Sequence, residues 1–485
     1  MTKIKSHWPL LLALLIGFFT RAYQGLDRFI YAHDNDLASW MVKDIVVDKH
    51  FRLIGQETSS GGVFIGPLFY YSLIPFYLIG NMDPAPTIAF SWIIGLSAIA
   101  SIYFIVGRLH GRKAGIIAAL FYSASYLIVI TEREVVPTTP VMLWSIWAYY
   151  TAHLLFAGNH RGLWLAAGLL ALVWHINLAL ILLLPIFAAG VLLKLKNFKT
   201  SDFFGPLLLL LLLSSPLIIF EFRHSFLQTR SLLSSFTGNP QTTLTRTIRQ
   251  KVDNVITITV KNSTRLFAFN LPEIRRYYIP LFLIAAFIIL AVTKKFPPAS
   301  VFIISTWLIL FVGFFVIHPL NLSEYYLNGI NILWLIIASV FLASMPVITP
   351  FILALFLYLN LNYFLSSPIN KIGYRQKKAI VDYIKQDAAA HNYPCVSVSY
   401  MTDEGQQFGY RYFFYLAGLH VNQPKSNSPV YTIVFPHRRA NRLDKTFGAL
   451  GLVLPNYSQY RGDSVKLSCS GQNANLTDPM FGFVN

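Results

Sequence analysis

A short acidic segment, Tyr31-Ala-His-Asp-Asn-Asp-Leu37, follows the first apolar stretch of the chain and holds side chains suited to chemistry. No Lys or Arg occurs between residues 29 and 42, so Asp34 and Asp36 have no cation nearby in sequence. An ionised carboxylate loses hydration beside hydrocarbon and is costly to place there. The local residues leave three roles open, namely a general base, a metal ligand, or a cap on the helix predicted after Leu37.

Other ionisable residues gather at the ends of apolar segments. In chain order they are Glu132, Arg133, Glu134, His175, Glu221, Arg223 and His224. The guanidinium group of Arg133 suits a phosphate headgroup, and His175 could donate to a phosphate or relay a proton. The structural alternatives are a snorkelling anchor for Arg133, a hydrogen-bonded interfacial residue for His175, and a solvated outer loop for the residues after Glu221.

The composition predicts what must position these groups. Of 485 residues, 55% are hydrophobic and only 12% are charged, and the mean hydropathy is +0.53. These values lie outside the soluble range and indicate an α-helical polytopic membrane protein. About 11 spans are predicted, near 8–22, 84–107, 113–131, 136–157, 162–175, 177–194, 203–221, 279–293, 298–317, 327–344 and 346–364.

Residues 66–80 are apolar and aromatic but short, with Pro67 and Pro75 inside the segment. Treating them as a re-entrant or interfacial segment places the basic loops around Arg108, Arg161 and Lys294 in the cytoplasm, as the positive-inside rule requires. The first loop (21–65) and a long basic loop (222–278) then lie outside. The polar groups named above converge on this face, which predicts an active site at the extracytoplasmic membrane surface.

Residues 366–485 are less hydrophobic and predict a small extracytoplasmic α/β domain that follows a membrane domain of residues 1–365. A helical pattern over 376–390 precedes strand-like runs at 395–400 and 430–435. Cys395 and Cys469 both fall here, and the sequence leaves open whether they pair.

The net charge of +18 favours anionic partners, first the membrane lipids and lipid phosphates. The basic residues are scattered among loops, so nucleic acid is not an expected partner. No hydrolase elbow, Walker loop or dinucleotide fingerprint occurs. No cofactor is identified with certainty, and Asp34 and Asp36 beside His33 leave a divalent metal open.

Over roughly residues 8–345 the order of motifs resembles the GT-C membrane glycosyltransferases. The similarity is to the bacterial family 39 type, related to protein O-mannosyltransferases and aminoarabinose transferases. The motifs are His33-Asp-Asn-Asp36, Gly66-Pro-Leu-Phe-Tyr-Tyr71, Gly107-Arg-Leu-His-Gly-Arg-Lys113, Glu132-Arg-Glu134 with Pro137 to Pro140, and His175 with Leu184-Pro185.

The resemblance implies a glycosyltransferase that moves a sugar from a polyprenyl-phosphate donor to a lipid, glycan or protein acceptor of the cell envelope. The family's first-loop aspartate, its catalytic base, best matches Asp34, with Asp36 a close competitor. Arg133, His175, Arg223 and His224 would bind the donor phosphate, supported by Glu132, Glu134, Glu221, Tyr325 and Tyr326. Phe69, Tyr70 and Tyr71 would line a groove for the prenyl chain. The chain departs from the family by lacking an Asp near Thr138 and by having His175 where relatives often have Lys.

Two other functions fit the hydropathy. A polysaccharide polymerase or ligase would use a pyrophosphate-linked donor and depend more on arginine than on a first-loop carboxylate. A lipid flippase or secondary transporter would place charged residues or broken helices near the membrane midplane. The ionisable residues lie instead at the ends of the spans, which favours the transferase.

Overall fold

The computed structural model describes residues 7–58, 61–237, 247–272, 275–317 and 324–471. Parts of the predicted outer loop 222–278, at 238–246 and 273–274, and the last residues of the predicted C-terminal domain, 472–485, lie outside these ranges. The apolar first three-quarters of the chain is helical. Its helices are α1 (Trp8–Ala22), α2 (His33–Val46), α3 (Leu68–Ile79), α4 (Ile88–His110), α5 (Arg112–Ala124), α6 (Tyr126–Glu132), α7 (Val141–Phe156), α8 (Arg161–Ile176), α9 (Leu184–Leu193), α10 (Phe204–Arg223), α11 (Leu227–Thr237), α12 (Ile248–Phe267), α13 (Tyr278–Val292), α14 (Pro298–Ile317), α15 (Asn331–Ala343) and α16 (Thr349–Ser366).

Within the described residues, five helices are long and apolar enough to cross a membrane, or six if the bent pair α5–α6 counts as one span. All 11 predicted spans coincide with helices. Several of these helices have fewer than the 18 residues taken as the minimum for a span, so the predicted number of spans is not established. The segment predicted to be re-entrant forms α3, which has 12 residues and contains Pro75. At 1.5 Å per residue, α3 is about 18 Å long, too short to cross a hydrocarbon core of about 30 Å.

The bundle is organised around α5 and α15. Every residue of α15 from Asn331 to Leu342 is buried. Helices α4 and α5 approach each other so closely that a Cβ atom at Gly115 would lie 2.8 Å from the backbone of Gly107. Small residues at such a crossing let two helix backbones approach in a membrane. Large apolar side chains are exposed on the outer helices, for example Leu208 of α10 and Phe351 of α16, as expected of surfaces that face lipid.

A 60° bend at Ser125 separates α5 from α6. The backbone N–H of Tyr126, which the break removes from the helical ladder, donates to Oδ1 of Asn360 at 3.0 Å. The Asn360 amide in turn donates to the carbonyl of Phe267 at 2.8 Å, and the Ser125 hydroxyl donates to the carbonyl of Leu266 at 2.7 Å. Broken backbone inside a membrane protein needs such internal partners. Here α12 and α16 supply them.

The C-terminal region forms an α/β unit, as predicted. It consists of α17 (Tyr374–Ala390), β1 (Val396–Thr402), α18 (Arg411–Leu416), β2 (Val421–Asn422), β3 (Val430–Phe435), β4 (Lys445–Phe447), β5 (Leu450–Val453) and α19 (Gly462–Ser468). The five strands have the order β2-β1-β3-β5-β4, with β2, β1 and β3 parallel and β3, β5 and β4 antiparallel. Cys395 and Cys469 form a disulfide that fastens α19 to the start of β1.

This C-terminal unit shares a hydrophobic core with α2 and α3. The ring of Phe29 stacks on Tyr374 with centroids 5.9 Å apart, and Trp40 meets Tyr412 edge to face at 5.6 Å. The ammonium group of Lys377 donates to the carbonyl of Tyr31 at 3.0 Å. Helix α2 is therefore held between the membrane bundle and the C-terminal unit, which fixes the acidic segment in space.

Candidate functional site

The N-terminus of α2 is held by Asn35 rather than by either aspartate. Its Oδ1 accepts from the backbone N–H of Ala32 at 2.9 Å, inside the first turn. Its Nδ2 donates to the carbonyls of Glu134 and Val135 at 3.0 and 3.1 Å. The same side chain thus closes the start of α2 and attaches it to the turn between α6 and α7. This leaves the carboxylates of Asp34 and Asp36 available for other contacts.

Asp34 is partly exposed, and its Oδ1 accepts a hydrogen bond from Nε2 of Gln56 at 3.2 Å. Two bonds to Tyr70 hold Gln56: the phenol donates to Oε1 of Gln56 at 3.2 Å and accepts from its backbone N–H at 3.1 Å. Gly55 is required here, because a Cβ atom would lie 2.2 Å from the Tyr70 ring. The amide of Gln56 is thereby oriented with its donor end toward Asp34. We did not predict this residue from the sequence, because a glutamine in a loop carries no signal of its own.

Glu134 brings a second carboxylate near Asp34. More than a third of its surface is accessible. Its charge interacts with that of Asp34, so the two carboxylates lie near one another, and we call the region around them the recess. Burial raises the pKa of Glu134 to about 7, and the negative charge of Asp34 adds to the increase. The next residue, Val135, is buried and has a φ of 41°, a strained conformation for a β-branched residue. The bonds from Asn35 to the carbonyls of Glu134 and Val135 help to hold this backbone conformation.

Asp36 has a different environment from Asp34. It is fully buried, and its Oδ1 accepts from the backbone N–H of Tyr412 in α18 at 3.1 Å. Burial lowers the pKa of Lys377 to about 8, with the charge of Asp36 opposing that decrease, which places the ammonium group in the same buried cluster. Asp36 therefore ties α2 to the C-terminal unit. The sequence leaves both aspartates as candidates for the base, and the fold gives them different environments: Asp34 is partly exposed, whereas Asp36 is buried.

Glu132 and Arg133 fasten α1 to the turn that carries Glu134. Glu132 pairs with Arg21, both almost fully buried, and also accepts from the Tyr122 hydroxyl at 2.6 Å. Nη2 of Arg133 donates to the carbonyls of Thr20 and Tyr23 at 2.6 and 2.8 Å. Nε and Nη1 of Arg133 are buried and have no hydrogen-bond partner within the described part of the chain. Arg133 thus anchors α1 and retains two donors for another acceptor.

His175 is buried where α8 meets the start of α3. Its Nε2 lies 3.2 Å from the carbonyl of Leu213, and its Nδ1 accepts from the backbone N–H of Leu68 at 3.3 Å. Gly66 packs against the imidazole, since a Cβ atom there would lie 2.1 Å from Nδ1. Both ring nitrogens have protein partners, so the structure gives His175 a bridging role. Its predicted contact with a donor phosphate stays a prediction.

The residues at the end of α10 do not form one cluster. Glu221 accepts from the backbone N–H groups of Gln228 and Thr229 at 2.9 and 3.1 Å, and so caps α11. His224 stacks on Phe220 with ring centroids 4.1 Å apart. Arg223 is exposed and makes no hydrogen bond or ion pair to any described residue. Of the two predicted phosphate ligands in this region, Arg223 is exposed and His224 is half-buried.

The aromatic residues are placed differently from the prediction. Phe69 is 5% exposed and Tyr70 is 0% exposed, so both rings are covered by protein atoms in this structure, and their contact with a prenyl chain stays a prediction. Tyr71 is partly exposed, and its hydroxyl bonds to the backbone of Arg52. The rings of Tyr325 and Tyr326, before α15, contact each other with centroids 4.4 Å apart and planes tilted by 40°. No group of three His, Cys, Asp or Glu side chains is arranged to hold a metal ion within the described residues.

Comparison with known proteins agrees with this architecture. Residues 66–220, roughly a third of the chain, match the family described as dolichyl-phosphate-mannose-protein mannosyltransferase. The crystal structure of ArnT from Cupriavidus metallidurans bound to undecaprenyl phosphate superposes with a TM-score of 0.61 at 10% identity, covering 95% of this chain and 99% of that one. The same protein in its apo state gives a TM-score of 0.53 at 10% identity, covering 94% and 99%. No curated protein matches the sequence.

The chain therefore shares the fold of ArnT and has apolar helices typical of an integral membrane protein, and residues 66–220 resemble the mannosyltransferase family named above. The resemblance to family 39 seen in the sequence is confirmed.

Proposed function

We propose that this chain transfers a sugar from a polyprenyl-phosphate donor to an acceptor hydroxyl at the extracytoplasmic membrane face, with Asp34 as the general base. The observation that carries the proposal is that Asp34 and Glu134, at the ends of helices from distant parts of the chain, are close enough for their charges to interact. Two carboxylates in different environments are a frequent basis for acid–base chemistry.

The chemistry needs one base and a stabilised leaving group. Asp34 takes the proton of the acceptor hydroxyl while the oxygen of that hydroxyl attacks the anomeric carbon of the donor sugar. The bond between that carbon and the phosphate oxygen breaks, and the lipid phosphate leaves with the electron pair. Glu134, with its pKa raised to about 7, is partly protonated at neutral pH and so adds little repulsion against this phosphate.

Arg133 is the favoured partner of the leaving phosphate. It is buried, keeps two donors without a partner among the described residues, and immediately precedes Glu134 in the chain. A preorganised cation in a site of low dielectric stabilises developing charge strongly. Arg223, exposed at the end of α10, is suited to attract the anionic donor from the membrane surface.

Two features support the extracytoplasmic placement of the site. The disulfide between Cys395 and Cys469 is typical of an oxidising compartment outside the cytoplasm. The C-terminal unit that contains it contacts α2 directly, through Lys377 and Tyr412, so it lies on the same side as Asp34. The distribution of basic loops in the sequence leads to the same orientation.

The test is transfer by purified Asp34→Asn, with radiolabelled polyprenyl-phosphate sugars as donors and a panel of lipid and peptide acceptors. Asparagine keeps the shape of the side chain, so we expect a loss of about 10²- to 10⁴-fold in rate with normal thermal stability. Asp48→Asn is the matched control, because Asp48 is exposed in the same loop and pairs only with Lys43 among the described residues. Full transfer by Asp34→Asn would exclude Asp34 as the base. Turnover of a pyrophosphate-linked oligosaccharide, but of no monophosphate donor, would favour the polymerase alternative.

A further inference from the structure

A cleft of about 570 Å³, lined by both polar and apolar surface, opens on the C-terminal unit along β1. It exists because β2 is short. Strand β2 ends at Asn422, opposite Ser397, whereas β1 continues to Thr402. The segment that leaves β1, residues 403–410, and Gln423 after β2 form the walls. The cleft therefore lies at the carboxyl end of the parallel strands, where open α/β sheets commonly bind ligands.

The lining favours a neutral ligand rich in hydroxyl groups. It contains one carboxylate and one guanidinium, from Glu404 and Arg411, whose formal charges balance. The amides of Gln407 and Gln423 can both donate and accept, as sugar hydroxyls require. The ring of Tyr400, packed 5.6 Å from Tyr410, adds an apolar surface for the C–H face of a pyranose. A phosphate or an anionic headgroup would instead call for several unbalanced cations.

The wall of the cleft is fixed to the start of α2. Phe408, next to Gln407, packs on the ring of His33 with centroids 4.5 Å apart. Lys377 bridges the two segments by donating to the carbonyl of Phe408 at 2.8 Å and to that of Tyr31 at 3.0 Å. His33 immediately precedes Asp34 in the chain. The cleft and the proposed base are therefore joined by a short series of contacts among buried and partly buried residues.

We propose that this cleft binds a neutral saccharide portion of the acceptor and orients its hydroxyl toward Asp34. The role in catalysis rests on the proposed transferase function, whereas the binding itself does not. The saccharide-binding side chains are Gln407, Glu404, Arg411 and Gln423, with Tyr400 as the stacking surface.

Binding is tested without turnover, by saturation-transfer NMR on the full-length protein in a detergent that has no sugar headgroup. The probes are methyl glycosides of glucose, mannose, galactose and N-acetylglucosamine, with inorganic phosphate as a separate arm. We expect at least one glycoside to bind with a Kd on the order of 1 mM. Gln407→Ala should weaken this binding about tenfold or more. Gln406→Ala, a neighbouring glutamine outside the lining, should leave it unchanged.

Several outcomes separate this site from the transferase proposal. Binding retained by Asp34→Asn supports a saccharide site that stands apart from the chemistry. In the transfer assay, Gln407→Ala should raise the acceptor KM while hydrolysis of the donor by water stays at the wild-type rate. The site is refuted if no glycoside binds at about 50 mM, if Gln407→Ala binds as well as Gln406→Ala, or if phosphate displaces the glycoside. Binding with no transfer activity from any lipid-linked donor would refute the transferase while leaving the saccharide site intact.

Discussion

Gln56 gives the sharpest test of how the proposed base is positioned. Its amide donates to Asp34 at 3.2 Å, and Tyr70 orients that amide through two further bonds. A hydrogen bond to a charged group contributes about 1.5–3 kcal/mol. At 3.2 Å this bond is at the long end of the usual range, so the lower figure applies, and it corresponds to about a tenfold change in rate. Gln56→Leu should therefore reduce kcat/KM for transfer about tenfold.

Two tyrosines provide a matched pair for the same test. Tyr70→Phe should cost about threefold, since Gln56 keeps its bond to Asp34 but loses the group that orients it. Tyr71 bonds to the backbone of Arg52 in the same manner and does not contact Gln56, so Tyr71→Phe should remain within about twofold of wild type. Thermal melting of each variant in detergent checks folding. A wild-type rate in Gln56→Leu, or equal losses in the two tyrosine variants, would refute the positioning role.

Other predictions concern the second carboxylate and the packing behind it. Because the pKa of Glu134 is raised to about 7 from 4.5, the native state binds this proton more tightly than the unfolded state. Stability should therefore fall as pH rises from about 4.5 to about 7. The value of kcat/KM should decline through an ionisation near pH 7. In Glu134→Gln, the melting temperature should lack the fall between about pH 4.5 and 7, and the rate should lack the decline near pH 7. Glu132→Gln leaves Arg21 buried without its counter-charge and should cost about 3–5 kcal/mol, measured by thermal melting, with partial recovery in the double variant Arg21→Met, Glu132→Leu. Gly95→Ala places a methyl group 2.2 Å from Nε of Arg21 and should lower stability by about 1–3 kcal/mol; an unchanged melting temperature would refute that packing.

The helical architecture and the C-terminal unit were predictable because hydropathy and periodicity are local properties. The predicted helix at 376–390 and the strands at 395–400 and 430–435 correspond to α17, β1 and β3. The number of spans was less predictable, because α1, α7, α8, α9 and α13 are short and composition alone does not say how each crosses the membrane.

The arrangement of the site was harder to predict, because it depends on contacts between residues far apart in sequence. Asp34 and Asp36 are equivalent in the pattern, and they differ only because α18 folds back onto Asp36. Glu134 acquires its raised pKa from the enclosing recess and from a carboxylate 100 residues earlier in the chain. Arg133 was identified from its residue type, yet its bonds to the end of α1 follow from tertiary packing alone.

The bend at Ser125 has a consequence for the biogenesis of the protein. The helix that carries Arg133 and Glu134 to the recess is broken, and the acceptor for its freed N–H group is Asn360, synthesised more than 200 residues later. Until α16 has been inserted, that N–H group lacks its partner in an apolar environment, which is costly. The proposed site is therefore assembled late, after nearly the whole bundle has left the ribosome. Products that end before residue 360 should remain catalytically silent even though they contain every residue of the recess.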